Sequence, residues 1–540
     1  MKRLALLLHL AIQLSVSAQQ KVITGKVVTV NQEALIGVNV FLKSDWQIGG
    51  STDVNGVFEF EVAKPTHNDS MVVSYIGYKE LLVSINEQMP SKFELEPIST
   101  EIEAVVIKAE RMIAEEFSIK KIKKLEIYLN SSAKADPLLA VNSMPAATTI
   151  DESANISFRG NSPSLTGIYL NNVPIYDAVR FSQLNGIGTF SLFNTSIIKD
   201  VQVYPGNPPI EYGNIASGLI ALSTTDDQSK ATTQSVSISP ASFGGNISMP
   251  INKKSSLIAF GNYQPSGIIK AINKKSLENI IDFLSLDAGV HYVRKVNNGH
   301  LKVFNYSVFE NYTYAFRQPT YQGDFRQTKK RNFTIGSLRK LIDDNNEITI
   351  NGAYSKSKSE YAFSKSYYLL YDTDIFGSIN HMIATNKSTL KYGVNYDRRK
   401  ISGQYTYAQY AFAIGELHPT STVDQDISLN IIESYMYVKQ ELSDQFIIGI
   451  GLRKNIPVDT ISSYWSGQIN TRIKIGTSQK LNLGIGQYNK YHFDQGTGSI
   501  THFTNRQITA DYTLQQKSIT YQISLYHQQE INDNINTQRT

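Results

Sequence analysis

The chain has 540 residues, a formal net charge of +5, 18% charged residues, 31 Tyr, 23 Phe and no Cys. The missing thiol excludes disulfides, thiolate metal sites and cysteine nucleophiles, and the small charge, with no Lys/Arg run interleaved with aromatics, gives no support for nucleic-acid binding. An aromatic-rich, moderately polar chain of this length holds several domains and suits either an outer-membrane β-barrel or a large secreted β-protein.

Residues 1–18 combine Lys2-Arg3, an apolar run from Leu4 to Leu14 and the small-residue site Val16-Ser17-Ala18. They read as a secretory signal peptide, with Gln19 as the mature start. The apolar run is shorter than the ~20 residues a bilayer requires. No later run reaches that length either, so any membrane crossing falls to closed β-structure, whose backbone groups pair between strands.

Residues 19–97 carry VITGKVV, GVNVFLK, GVFEFEV and MVVSYIGY, short runs rich in Val, Ile, Phe and Tyr that are separated by turn residues. The spacing predicts a two-sheet β-sandwich. Asp53, Asn55 and Gly56 predict a tight turn rather than a calcium loop, because the other ligands of an acidic array are missing. With GKV, TDVNGVFEF and VSYIGY in this order, the segment resembles the carboxypeptidase regulatory-like domain, and no HExxH accompanies it.

Pro97 to Glu101 break the pattern, and residues 98–112 form a linker. Within it Glu103, Ala104, Val105, Val106 and Ile107 make a short apolar strand flanked by charge. Residues 113–227 follow as one domain. Phe117, Ile119, Ile122, Leu125 and Leu129 recur at mostly three- and four-residue steps and predict an amphipathic helix, with Lys120, Lys121, Lys123 and Lys124 on its solvated face. Asp136-Pro137 predict the cap and first turn of a second helix.

Ile156 to Gly160 (ISFRG) read as a strand ending in Arg159-Gly160, and Gly167 to Asp177 as a strand pair turning at Asn171-Asn172. Ala178 to Phe193 lack a clean period and read as a loop. Ile198 to Tyr204 alternate as a strand, Pro205-Gly206 turn it, and PGNPPIEYG leads to ASGLIAL.

The stretch ISFRG, GIYLNNVPIYD, IIKDVQVYPGNPPIEYGNIASGLIAL resembles the plug of TonB-dependent outer-membrane receptors. In Bacteroidetes-type members a carboxypeptidase regulatory-like domain precedes the plug. The resemblance implies a plug closing a large transmembrane antiparallel β-barrel, with the N-terminal domain periplasmic. Glu103 to Ile107 then stand where the TonB box pairs edge-on with the energy-coupling protein by strand addition. Arg159 either caps a sheet edge or forms an ion pair with the barrel wall. Tyr176, Asp177, Arg180 and Phe181, at or beside the apical loop, are the candidates for touching ligand. The PGNPPIEYG form differs from that of glycan importers with a lipoprotein lid, which argues against an obligate lid partner.

Residues 228–540 repeat period-two runs ending in polar turns, about fifteen in all. Ser266 to Asp282 read as a helical insert. Plugged transporters close with roughly 22 strands. Fifteen strands about 4.8 Å apart enclose a circle of roughly 30 Å, against about 44 Å for 22, whereas a plug of about 115 residues measures about 34 Å across. The polar end Ile535 to Thr540 also lacks a terminal aromatic. These observations predict an incomplete barrel, roughly seven strands short.

The expected architecture is therefore mostly β: an N-terminal sandwich, an α+β plug and a partial barrel. The expected function is TonB-dependent uptake of a scarce ligand, whether siderophore, cobalamin, oligosaccharide or peptide. The expected partners are the coupling protein and outer-membrane lipid, with no cofactor, metal or catalytic residue. The alternatives are a surface binding or adhesion protein without transport and a barrel fragment that never inserts.

Overall fold

The computed structural model describes residues 21–535 apart from 31, 47, 63–68, 76–77, 86–88, 97–116, 118–119, 145, 149–152, 182–189, 227, 230, 239–241, 273, 276, 319–320, 410–418, 459–461, 495–498 and 517–518. The expected signal peptide, Glu103, Ala104, Val105, Val106 and Ile107 lie outside the described residues. The chain forms two compact units, Met1–Glu103 with Gln515–Tyr521, and Ala104–Leu514 with Gln522–Thr540.

The first unit holds β1 (Lys21–Thr29), β2 (Asn39–Leu42), β3 (Gly49–Ser51), β4 (Val57–Val62), β5 (Ser70–Ser74), β6 (Leu81–Ser84) and β7 (Lys92–Leu95). They form two sheets, β4-β1-β7 and β3-β2-β5-β6, as the strand spacing predicts. Phe58, Phe60 and Val62 of β4 point inward while Glu59 and Glu61 point out, the period-two pattern of a half-buried strand. Their inner faces share one core that includes Ile23, Val40, Met71 and Phe93. Asp53 Oδ1 accepts from the N–H groups of Asn55 (2.9 Å) and Val57 (2.8 Å), and Gly56 takes φ of 76°. That carboxylate oxygen closes the turn.

In the second unit the plug contains β8 (Lys120–Lys123), α1 (Lys124–Leu129), α2 (Pro137–Asn142), β9 (Gly167–Leu170), β10 (Val173–Pro174), β11 (Val179–Arg180), β12 (Phe190–Ser191), β13 (Ile198–Tyr204) and β14 (Leu219–Thr224). Five of these strands form a sheet in the order β10-β9-β14-β13-β8, with β9 and β14 parallel. β13 and β14 lie inside the sheet and are buried almost throughout, which suits the apolar run Leu219 to Leu222 of β14, whereas β13 also buries Asp200 and Gln202.

Two local expectations are corrected here. The helix expected over Phe117 to Leu129 is confined to its second half, because Lys120 to Lys123 pair with β13 as a strand. Only Ile122 of β8 is buried. Four backbone pairs with β13 outweigh an amphipathic pattern of moderate quality. ISFRG is likewise no regular strand: Phe158 makes one isolated bridge to Ala147, and Arg159 and Gly160 take φ of 53° and 80°. The expected turn at Asn171-Asn172 forms, with φ of 49° and 65°.

The remaining chain forms one fifteen-stranded antiparallel sheet in sequence order. It begins with β15 (Thr233–Ile238), β16 (Phe243–Asn252), β17 (Ser255–Pro265) and, after helix α3 (Ser266–Ile272), β18 (Ile280–Val296). Then come β19 (Gly299–Gln318), β20 (Tyr321–Leu341), β21 (Asn346–Phe363), β22 (Ser366–Ala384), β23 (Ser388–Ala408) and β24 (Thr420–Ser443). β25 (Phe446–Pro457), β26 (Trp465–Ile475), β27 (Gln479–Asp494), β28 (Ser499–Gln516) and β29 (Ile519–Ile535) complete it. Among the described residues of the expected helical insert only those of α3 are helical, and Ile280 to Asp282 already belong to β18.

Side chains from β18, β20, β23, β25, β28 and β29 all contact the plug, so the sheet curls around it. No pairing joins β15 to β29 among the described residues. That matches the size argument, since a closed circle of fifteen strands is too narrow for this plug.

The outward face carries apolar rows that the register lines up. Ile450, Ile469, Ile485 and Ile508 oppose one another on four successive strands and are each about half exposed. Ile350, Ile379 and Val394 form a second row across β21 to β23. Contiguous exposed apolar surface of this kind marks contact with lipid or another apolar surface. No helix among the described residues is long and apolar enough to cross a membrane.

The strand connections differ at the two ends of the sheet. Residues 297–298, 385–387, 444–445 and 476–478 make short connections at one end, whereas the other end carries the longer connections 266–279, 409–419 and 458–464 beside the two-residue connections 319–320 and 364–365. β15 starts at the short-turn end, so the chain leaves the plug and enters the sheet there.

Candidate functional site

The site is the interface between the plug and the inner face of the sheet, and its ion pairs join residues hundreds of positions apart. Arg159 Nη2 donates to Asp511 Oδ1 at 2.7 Å, with both side chains at least nine-tenths buried. The guanidinium also lies 5.2 Å from the ring centroid of Tyr526. Close by, Gln528 donates to the Arg159 carbonyl at 2.7 Å, and Asn161 donates to both Gln528 and Ser217. The left-handed turn at Arg159-Gly160 aims this cluster at β28 and β29.

The loop after β13 is held by a second cluster. Asn207 donates from its backbone to Gln507 (2.9 Å) and from its side chain to Thr509 (2.7 Å). Gln507 in turn donates to the Ala216 carbonyl at 2.9 Å. Arg453 spends all three guanidinium nitrogens here: Nε on the Ile210 carbonyl (2.7 Å), Nη2 on the Glu211 carbonyl (2.5 Å) and Nη1 on Glu433 (2.9 Å). Its planar fork suits this three-way contact. A Cβ on Gly213 would run into the Glu433 carboxylate and the Arg453 guanidinium, so this approach needs glycine. The Glu211 side chain pairs with Lys391.

A third cluster gathers around Tyr176 and Asp177. Tyr176 donates its hydroxyl to Asp397, and the Arg399 guanidinium lies 4.5 Å above the Tyr176 ring. Burial pushes the Tyr176 hydroxyl well above its ordinary pKa and Asp397 adds to the shift, so the group acts as a donor. Asp177 pairs with Lys329, while Arg331 donates to the Tyr176 and Asp177 carbonyls at 2.8 and 2.9 Å. Burial alone would raise the Asp177 carboxyl, but Lys329, Arg331 and Arg399 outweigh it and hold the pKa below the usual carboxylate value.

Arg180 donates to Asp287 at 2.7 Å and Ser285 at 3.1 Å, and also to Tyr306. The Phe181 N–H donates to Glu310 at 2.7 Å, and its ring lies 5.2 Å from Phe283. Tyr176, Asp177, Arg180 and Phe181 are thus brought together on one side of the plug, each engaged with the wall. Asp136, the cap of α2, accepts from Leu138 and Leu139 and also from the Ser191 N–H at 2.7 Å, which fastens the helix to β12.

Sequence reasoning missed the wall partners Asp287, Lys329, Asp397, Glu433, Gln507 and Asp511. One signal could have found several of them: they are charged or amide side chains at positions that the alternation assigns to the inner face. Among the described residues no group of His, Asp and Glu side chains is arranged to hold a metal ion.

Comparison with known proteins adds to this geometry. Residues 23–107 match the CarboxypepD_reg-like domain, and residues 128–219 match the TonB-dependent Receptor Plug Domain. No curated protein matches the sequence. Among solved structures, the ferric enterobactin receptor of Pseudomonas aeruginosa is similar with a TM-score of 0.56 at 14% identity, covering 78% of this chain and 73% of that one. The siderophore receptor of Acinetobacter baumannii gives 0.57 at 14% identity over 78% and 72%. The ferric yersiniabactin uptake receptor of Yersinia pestis gives 0.52 at 10% identity over 77% and 79%. At these identities the likeness is one of fold.

Proposed function

This chain carries a TonB-dependent receptor plug domain behind a CarboxypepD_reg-like domain, and we propose that it works as an outer-membrane receptor for active uptake of a scarce ligand. The observation that carries the reading is a folded plug fastened to the inner face of a long-stranded sheet whose outer face is apolar. A body whose sheet, among the described residues, has no pairing with the surrounding one can be shifted by force without unfolding the wall.

In this reading the rows around Ile469 and Ile379 meet lipid, and the short-turn end faces the periplasm, as in bacterial outer-membrane barrels. The N-terminal domain and residues 103–107 then lie on the periplasmic side. Glu103 to Ile107 pair by strand addition with a TonB-type coupling protein, which supplies the energy. Arg159 and Asp511 form the ion pair that displacement of the plug must break. Tyr176, Asp177, Arg180 and Phe181 form the layer that responds to ligand, through the wall contacts they make. Ferric siderophores are the first ligands to test, because the solved neighbours are siderophore receptors.

The test is iron-limited growth of a strain in which this receptor is the sole route for added ferric siderophores, with and without residues 103–107. Growth that the deletion abolishes, with the protein still in the outer membrane, supports uptake. Ligand binding without growth, in the intact protein as in the deletion, would make it a surface binding protein instead.

A further inference from the structure

Glu310 of β19 and Lys329 of β20 stand directly opposite each other in the register, and both side chains are buried on the inner face. Side chains at such positions start about 5 Å apart at Cβ. Among the described residues, however, the ion pair of Lys329 is with Asp177 of the plug and not with Glu310. Glu310 accepts the Phe181 N–H through Oε2 at 2.7 Å, and its Oε1 is buried with no hydrogen-bond partner. Arg180, beside Phe181, is committed to Asp287, Ser285 and Tyr306. A buried carboxylate oxygen without a partner weakens the seated arrangement, and here a partner stands one strand away.

The neighbouring cation has the same surroundings. Arg331 donates to the Tyr176 and Asp177 carbonyls and, through Nε, to Ser355. Asp374 stands opposite Ser355 in the register, and its Oδ1 lies 3.4 Å from Arg399 Nε but accepts no hydrogen bond. Each wall cation that holds the plug at 176–177 thus has a wall carboxylate oxygen close by that is not yet bonded.

We propose that Lys329 is an exchange latch: it holds Asp177 while residues 176–181 are seated and passes to Glu310 when that segment withdraws from the wall. Withdrawal removes two contacts together, Asp177 from Lys329 and the Phe181 N–H from Glu310. It leaves an ammonium and a carboxylate facing each other on adjacent strands. Both side chains are long, so rotation about side-chain bonds joins them without moving the backbone. The new pair replaces both lost contacts. Without it, departure of the segment would strand a buried charge, the loss that keeps a buried ion pair closed. The exchange does not depend on the uptake reading. In that reading it lets the layer that responds to ligand leave the wall as one piece.

The sign of one substitution tests it. Glu310→Gln keeps the shape and an acceptor for the Phe181 N–H but removes the charge that receives Lys329. Seated, Lys329 still has Asp177; withdrawn, it has nothing, so the substitution disfavours the withdrawn state. Hydrogen exchange of residues 176–181 in the purified full-length protein should slow roughly tenfold, whereas Glu310→Asp, which keeps the charge, should stay within about twofold of the unchanged protein. In Asp177→Asn, Lys329 passes to Glu310 with the segment still seated, so adding Glu310→Gln should no longer slow exchange there. If Glu310 only holds the Phe181 N–H, the neutral amide is the weaker acceptor and exchange speeds up. Faster or unchanged exchange in Glu310→Gln overturns the latch, and so does a Glu310→Gln protein that cannot seat its plug. Slowing that persists undiminished in the Asp177→Asn background overturns it as well.

Discussion

Arg159 and Asp511 are 352 positions apart and meet at 2.7 Å, one on a left-handed turn of the plug and the other on the inner face of β28. Removing one partner of a buried pair leaves an uncompensated charge, a loss of about 3–5 kcal/mol. Arg159→Ala should therefore loosen the plug more than the double change Arg159→Ala/Asp511→Ala. Hydrogen exchange of residues 156–166 in the purified protein measures it. Equal protection in the single and double variants would remove the pair from the account.

Gly213→Ala tests the close approach of the PGNPPIEYG loop to β24 and β25. The added methyl meets Glu433 and Arg453, which are locked by their own bonds. Overpacking of this kind costs about 1–3 kcal/mol. Faster exchange should appear over residues 207–216 and not over the N-terminal sandwich.

Arg453→Lys keeps the charge but cannot reproduce contacts to Ile210, Glu211 and Glu433 together. It should release the same loop as Gly213→Ala does. The two variants combined should be less than additive, because they act on one contact. Thermal unfolding of both singles and the double measures the coupling.

Asp177 gives a pH dependence. Its folded pKa lies below the ordinary 3.8, so it adds stability that is complete above that value and lost as pH falls through the lowered one. Protease sensitivity of the segment around Asp177 should rise under strong acid. Asp177→Asn should be sensitive at neutral pH already and lose most of the acid response.

Ile469 sits in the row formed by Ile450, Ile485 and Ile508. If that row meets lipid, Ile469→Lys costs about 2–4 kcal/mol near the bilayer midplane. The fraction of heat-modifiable, folded protein in outer-membrane preparations should fall, whereas Ile469→Leu should leave it unchanged.

Much of the fold was legible because its signals are local. The Asp136 cap, the Asn171-Asn172 turn and the alternation along the long strands each depend on residues within a few positions of one another. β8 was misread because the evidence for it is in β13, about eighty residues on. The site was legible by half for the same reason. Arg159, Tyr176, Asp177, Arg180 and Phe181 stand in recognisable plug motifs, but nothing near Lys329, Asp397 or Asp511 in the chain says which plug residue each one meets.

The central claim is that the plug is driven by a coupling protein acting through residues 103–107. Its most direct test is a photoreactive residue at Val105 in the full-length protein, irradiated in cells. Covalent capture of a TonB-type protein, with no capture from a position in the exposed Asp53 turn, is the predicted result. No capture at Val105 from a protein that is folded in the outer membrane and binds its ligand would contradict it.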